Sequence, residues 1–295
     1  MRRVICILLI IFNIALFNLN ICGLENSDRD VREYTFNNVN KAILKVISVE
    51  NKEIDILKLS LLLSKEVFPD ANMIKYTNEI NRMVRDIKKV INKKNDPVYR
   101  IGVINDYLYK TNGYKYDVKD MGAKLDKNQF ITGNIDTKEG SCITMPLLFY
   151  VIGKELDLPV TWVRAPEHFF CRYYVDEVSY INIESTSGGK TAIDEVYISD
   201  FKITEEELKK NVYMQSLDDR GCAGDLLCII ATYYARHKDM NKAIDYYMAS
   251  LMLEPANPFT YRFLSLVYGN LGYKDRSKEY MNKAIELGYK KIDRF

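Results

Sequence analysis

At 295 residues and 47% hydrophobic content, the chain has enough apolar surface for about two domains with cores of their own, which excludes a disordered protein. Its 42 basic residues nearly cancel its 40 acidic ones, so no overall field steers it toward nucleic acid, and nucleic-acid binding is set aside. Of six cysteines, Cys6 and Cys22 fall in the amino-terminal segment, and the four that remain, Cys142, Cys171, Cys222 and Cys228, are too sparse for a disulfide scaffold in a protein of this size; two histidines with no Cys-x-x-Cys pair argue against a zinc site.

Met1-Arg2-Arg3 is a positive start, and Val4 to Phe17 is an apolar run broken only by Asn13, short for a membrane span of about 20 residues. It reads as an export signal cut after Gly23, with lipid attachment at Cys22 and an uncleaved anchor as rivals. The expected location is therefore periplasm, cell envelope or medium, with membrane contact only through a retained or lipidated amino-terminal segment.

Over residues 24–97 apolar residues recur at helical spacing in three stripes, around Ile43 to Ile47, Ile54 to Val67 and Ile74 to Ile91, with breakers at Pro69-Asp70 and Asn95-Asp96-Pro97. Three helices are expected there, and the basic residues from Arg82 to Lys94 read as a solvated face. Val98 to Tyr109 predicts another helix, ended by Asn112-Gly113. Tyr114 to Gly140 reads as a long irregular loop, a kind of segment that is more often functional than idle.

The loop runs into Gly140-Ser141-Cys142. Pro146 marks the first turn of a helix from Leu147 to Leu156, with Thr144 as its expected cap. Val160 to Arg164, Phe169 to Val175 and Ser179 to Glu184 are β-branched and aromatic with alternation, so a small antiparallel sheet should follow the helix, an α+β arrangement. Gly188-Gly189-Lys190-Thr191 imitates the end of a phosphate loop but has Glu184 where that pattern needs glycine, and reads as a turn. Residues 201–221 are a connecting segment with a polar helix near Glu205 to Asn211. From Gly221 onward, Leu227, Ile230, Ala231, Tyr234, Ala243, Tyr247 and Pro255 recur 34 residues later as Tyr261, Leu264, Ser265, Tyr268, Ser277, Met281 and Tyr289. That period over residues 222–295 fits two tetratricopeptide-like repeats, too few to be stable unless docked on the preceding domain.

A thiol at a helix start, near a histidine, is stabilised as thiolate and becomes a nucleophile. Cys142 is such a thiol, with Gly140 expected to leave room for a substrate beside it; alone, it would read as a small buried hydrophobe. His168, expected to be packed by Phe169 and Phe170, supplies a base. Glu184, sixteen residues on, supplies a carboxylate to fix its tautomer, with Asn182 on the same strand face as the alternative orienter.

Gly-x-Cys opening a helix, the Leu156-Asp157-Leu158-Pro159-Val160 close, Pro-x-His-Phe on a strand and a carboxylate ahead of Gly-Gly resemble the core of the transglutaminase-like superfamily, in the bacterial branch that carries tetratricopeptide repeats. The resemblance is carried by Lys138 to Gly189, within a core placed at residues 98–200, and implies a papain-like fold, no metal and no organic cofactor. It implies Cys142 as nucleophile, His168 as general base and then acid, and Glu184 as orienter, although the family usually has aspartate there. The Cys142 N–H would serve the oxyanion, with Gln129, Asn134 and Ser141 as further candidates for oxyanion or substrate contact. The activity implied is attack on an amide or ester of a protein or peptide through an acyl-thioester. The alternative is a catalytically silent protein that holds a protein partner on its repeats.

Overall fold

The structure is a computed structural model and describes residues 34–49 and 54–290; the expected signal lies outside the described residues. The helical stripes become α1 (Lys41–Ile47), α2 (Ile56–Val67) and α3 (Met73–Ile91), each started by an Asn or Asp side chain that accepts a first-turn N–H. Then α4 (Pro97–Asn105) opens on proline and runs into a π-helical turn, Asp106–Thr111.

The stretch expected as a loop is instead built. It holds β1 (Lys115–Tyr116), a 3₁₀ turn (Asp126–Asn128), α5 (Ile131–Thr137) and β2 (Glu139–Gly140), with β1 and β2 paired in parallel. Buried Asn128 organises it: its amide donates to Asp117 at 3.1 Å and to Asp120 at 2.8 Å, and Asp120 also accepts from the Lys124 and Leu125 N–H groups. Side chains thus satisfy a backbone that has little regular ladder.

Next come α6 (Thr144–Glu155), β3 (Val160–Ala165), β4 (His168–Tyr174) and β5 (Tyr180–Ile183). They are followed by α7 (Asp194–Asp200), α8 (Glu205–Lys209) and β6 (Ser216–Leu217). The sheet is antiparallel, in the order β5-β4-β3-β6, so the segment read as a connector supplies its fourth strand.

Period-2 alternation divides the sheet between two cores. Trp162, Cys171, Tyr173 and Ile183 face the main core with α6 and the helices around it, while Val163, Ala165 and Phe170 face a smaller one with Tyr197, Ile203 and Val212. Two helix pairs end the chain: α9 (Asp219–Arg236) with α10 (Met240–Leu253), and α11 (Pro258–Asn270) with α12 (Lys274–Glu286). They dock on the domain before them, with α9 lying against β3 and α2.

Candidate active site

The thiol is placed by Ser141. Its Oγ accepts from Ile143 N at 3.0 Å and Thr144 N at 3.4 Å and donates to the Asn128 carbonyl at 2.6 Å, while Ser141 N donates back to Thr144 Oγ1 at 3.1 Å. The two bonds are reciprocal, and Met145 N donating to Ser141 O at 3.1 Å closes a turn that leads into α6, so Cys142 lies in that turn, two residues ahead of the helix. Thr144, expected as the cap, is instead the first residue of α6; Ile143 stands at the cap position without a side-chain bond, and the Ser141 hydroxyl takes the two N–H groups there. The N-terminal end of α6 therefore presents its positive dipole end to the sulfur. Gly140 is needed for packing rather than for substrate room: a Cβ there would lie 2.5 Å from Asn134 Nδ2 and 2.8 Å from Met145 Cγ.

Two contacts bind the sheet to the start of α6. The buried Cys171 thiol donates to Pro146 O at 3.2 Å, its titration pushed well up by burial, and the partly exposed Cys142 thiol faces Glu167 O at 3.6 Å. Glu167 is the second residue of the tight β3–β4 turn, where Ala165 pairs with His168; its φ of 54° after Pro166 has the sense of a type II turn. The turn sets His168 at the first position of β4, beside Cys142.

His168 Nε2 lies 2.7 Å from Glu184 Oε2, leaving Nδ1 for the thiol side of the ring. The register explains the reach: Cys171 pairs with Ile183, so Glu184 follows opposite Phe170, diagonal to His168. The ring is stacked on Phe201 at 5.4 Å and on Tyr197 at 6.4 Å. Phe169 and Phe170, expected to hold it, stack on Trp162 and Tyr197 instead, because Phe169 points to the opposite face. Burial by itself lowers the imidazole, but hydrogen bonds to Cys142 and Glu184 and the Glu184 charge outweigh it and raise the pKa to about 9. Burial likewise pushes the Glu184 carboxyl up, but His168 and the Thr186 donors outweigh it and hold the group below its ordinary value. The His168 ring is thus held toward its imidazolium form beside the carboxylate.

The structure brings Cys142, His168 and Glu184 together and leaves the other candidates elsewhere. Asn182 is not an orienter: its Oδ1 accepts from Arg172 Nε at 2.9 Å, and its amide donates to Ala192 O and Asp194. It sits opposite Arg172, four residues along β4 from the histidine. Gln129 is buried and donates to Ala123 O at 2.8 Å, and Asn134 is fully buried against Gly140. Ser141 is fully buried at the entry to α6 and offers no substrate contact.

Three residues around the site went unread: Thr186, Tyr197 and Phe201. Tyr197 and Phe201 stand four apart across the end of α7, and that aromatic spacing was the available signal in an otherwise polar stretch. Among the described residues no group of His, Cys, Asp and Glu side chains is placed to hold a metal ion.

The sequence profile of the transglutaminase-like superfamily matches residues 74–220, and that of the tetratricopeptide repeat matches residues 224–257 and 261–287. Two curated relatives, each named UPF0162 protein, come from Xylella fastidiosa strains 9a5c and Temecula1 / ATCC 700964. Each is 19% identical over 252 residues, covering 81% of this chain and 86% of the relative. No solved structure matches the chain.

Proposed function

From a transglutaminase-like domain continued by tetratricopeptide repeats, we propose a thiol enzyme that cleaves or transfers an acyl group of a protein or peptide amide or ester through Cys142. The observation that supports it most is the His168 ring held between Cys142 and Glu184, 2.7 Å from the carboxylate and held toward its charged form. In this reading the Cys142 thiolate attacks the carbonyl carbon and forms the C–S bond. The negative oxygen of the tetrahedral adduct is met by the Cys142 N–H at the start of α6. His168 gives its proton to the leaving amine or alcohol as the C–N or C–O bond breaks, leaving an acyl-thioester. Water or an amine then attacks, yields its proton to His168, and releases the acyl group. Hydrolysis fits the cell-envelope location proposed from residues 1–23, which the intact mass of the mature protein tests.

Alkylation by iodoacetamide at pH 6 tests the enzyme reading. Cys142 should label faster than Cys171, Cys222 and Cys228, and His168→Ala should slow it at least about tenfold. Labelling of Cys142 that is no faster, or indifferent to His168→Ala, overturns the proposal.

Tetratricopeptide repeats point to protein–protein interaction in general. A binding reading is favoured by exposed Leu266, Tyr273 and Ile285 on the second pair, whereas Tyr234 and Tyr268 are 8% and 6% exposed and packed inside. Partner capture that survives Cys142→Ala but not Tyr273→Ala would support it.

A further inference from the structure

Glu184 performs two tasks with one carboxylate. Oε1 accepts from Thr186 N at 3.0 Å and from Thr186 Oγ1, capping the 3₁₀ turn Ser185–Ser187 at the residue that begins it. Oε2 accepts from Tyr197 at 3.2 Å and is the oxygen 2.7 Å from His168. The main chain is fixed as well: Glu184 N donates to Lys190 O at 2.8 Å, and Gly189 N donates to Glu184 O at 2.9 Å. Gly189, at φ 77°, admits no side chain, because a Cβ would lie 2.1 Å from Asn105 Oδ1, whose amide donates to Gly189 O at 2.8 Å.

We propose that Thr186 and Tyr197 are positioning residues: together they clamp Glu184 so that its second oxygen stays on the His168 ring. The proposal rests on the reading of Cys142 and His168 as a working pair. The physical need comes from the side chain. A glutamate has three rotatable bonds and loses entropy when held, and a carboxylate with only His168 to bind would spend much of its time in other rotamers. Thr186 takes one oxygen through two donors, and Tyr197 takes the other while its ring lies 4.1 Å from Phe170, sandwiching the face of β4 that carries the histidine. Length matters for the same reason. An aspartate could cap the turn, but one methylene shorter it could not also reach the ring. The other titratable groups that feel this carboxylate are Tyr109, Tyr116 and Cys171.

The clamp is read directly from the histidine. The chain has two histidines, so the imidazole signals of the isotopically labelled protein separate His168 from exposed His237, which serves as an internal reference. In the unaltered protein His168 should titrate near pH 9. In the Thr186→Val/Tyr197→Phe double variant the midpoint should fall by about one unit or more toward the ordinary value, and Glu184→Asp should do the same. Tyr197→Phe alone keeps the stacked ring and should move it in the same direction by a smaller step. A midpoint that stays, or that rises because the carboxylate has fewer donors and becomes a better acceptor, overturns the positioning role. Cys142 alkylation separates the two ideas: if His168→Ala leaves its rate unchanged, the thiol-enzyme reading fails, while the His168 midpoint still decides the clamp.

Discussion

Ser141 carries more of the site than its size suggests. One hydroxyl accepts the N–H groups of Ile143 and Thr144 and donates to the carbonyl of Asn128, so the entry to α6 and the end of the 3₁₀ turn Asp126–Asn128 share one atom. Ser141→Ala would leave a buried carbonyl and the helix start unpartnered at once, and should lower stability by about 1–3 kcal/mol in urea unfolding. It should also slow Cys142 alkylation. An unchanged midpoint would show that the hydroxyl is not the anchor. At this scale the sequence was legible where chemistry and spacing coincide: Gly-x-Cys, Pro-x-His and the following carboxylate single out Cys142, His168 and Glu184, which the structure brings together. Gly140 was misread because glycine marks both an open site and a crowded one, and only the neighbours Asn134, Thr144 and Met145 distinguish them.

Between elements, the β3–β4 turn decides whether thiol and imidazole meet. Its second residue is a glutamate in the left-handed region, φ 54°, where a side chain costs about 1–2 kcal/mol relative to the right-handed form. Glu167→Gly should relieve that strain, offset in part by glycine's freedom in the unfolded chain, for a net gain of about 0.5 kcal/mol. Since the carbonyl facing the thiol is retained, the alkylation rate should hold within about twofold. Lower stability in urea unfolding would mean that the glutamate side chain holds the turn. Strands and long helices were readable from periodicity because each pattern repeats over many residues. Residues 114–140 were not, because their order comes from the pairing of Asn128 with Asp117 and Asp120 across irregular backbone. The π-helical turn and α7 were similarly too short to show a period.

Across the whole molecule, the repeats form part of the wall of the transglutaminase-like domain. Arg164 on β3 donates to Asp225 on α9 at 2.6 Å and to both oxygens of Glu254, just after α10, at 2.9 and 2.8 Å. Trp162 Nε1 and Asn257 supply further donors, and Phe259 lies against the guanidinium. These partners lie 61 and 90 residues away from Arg164, so no local pattern announced them. Two carboxylates on one buried arginine leave an excess negative charge. Burial and the neighbouring Asp225 push Glu254 up to about 7 against the pull of Arg164. A carboxyl whose folded pKa lies above its unfolded value binds its proton more tightly when folded, so its stabilisation is complete below about pH 4.5 and is lost as pH rises through about 7. His168, raised from 6.5 to about 9, has the same sign and extends the decline over that range. The melting temperature should therefore fall between pH 5 and 9 in two overlapping steps. Glu254→Gln should remove the lower step and His168→Gln the upper, whereas Arg164→Ala, which leaves both acids unpaired, should cost about 3–5 kcal/mol at pH 7. A lower step that persists in Glu254→Gln would place the neutral-range proton elsewhere than at the junction between repeats and core.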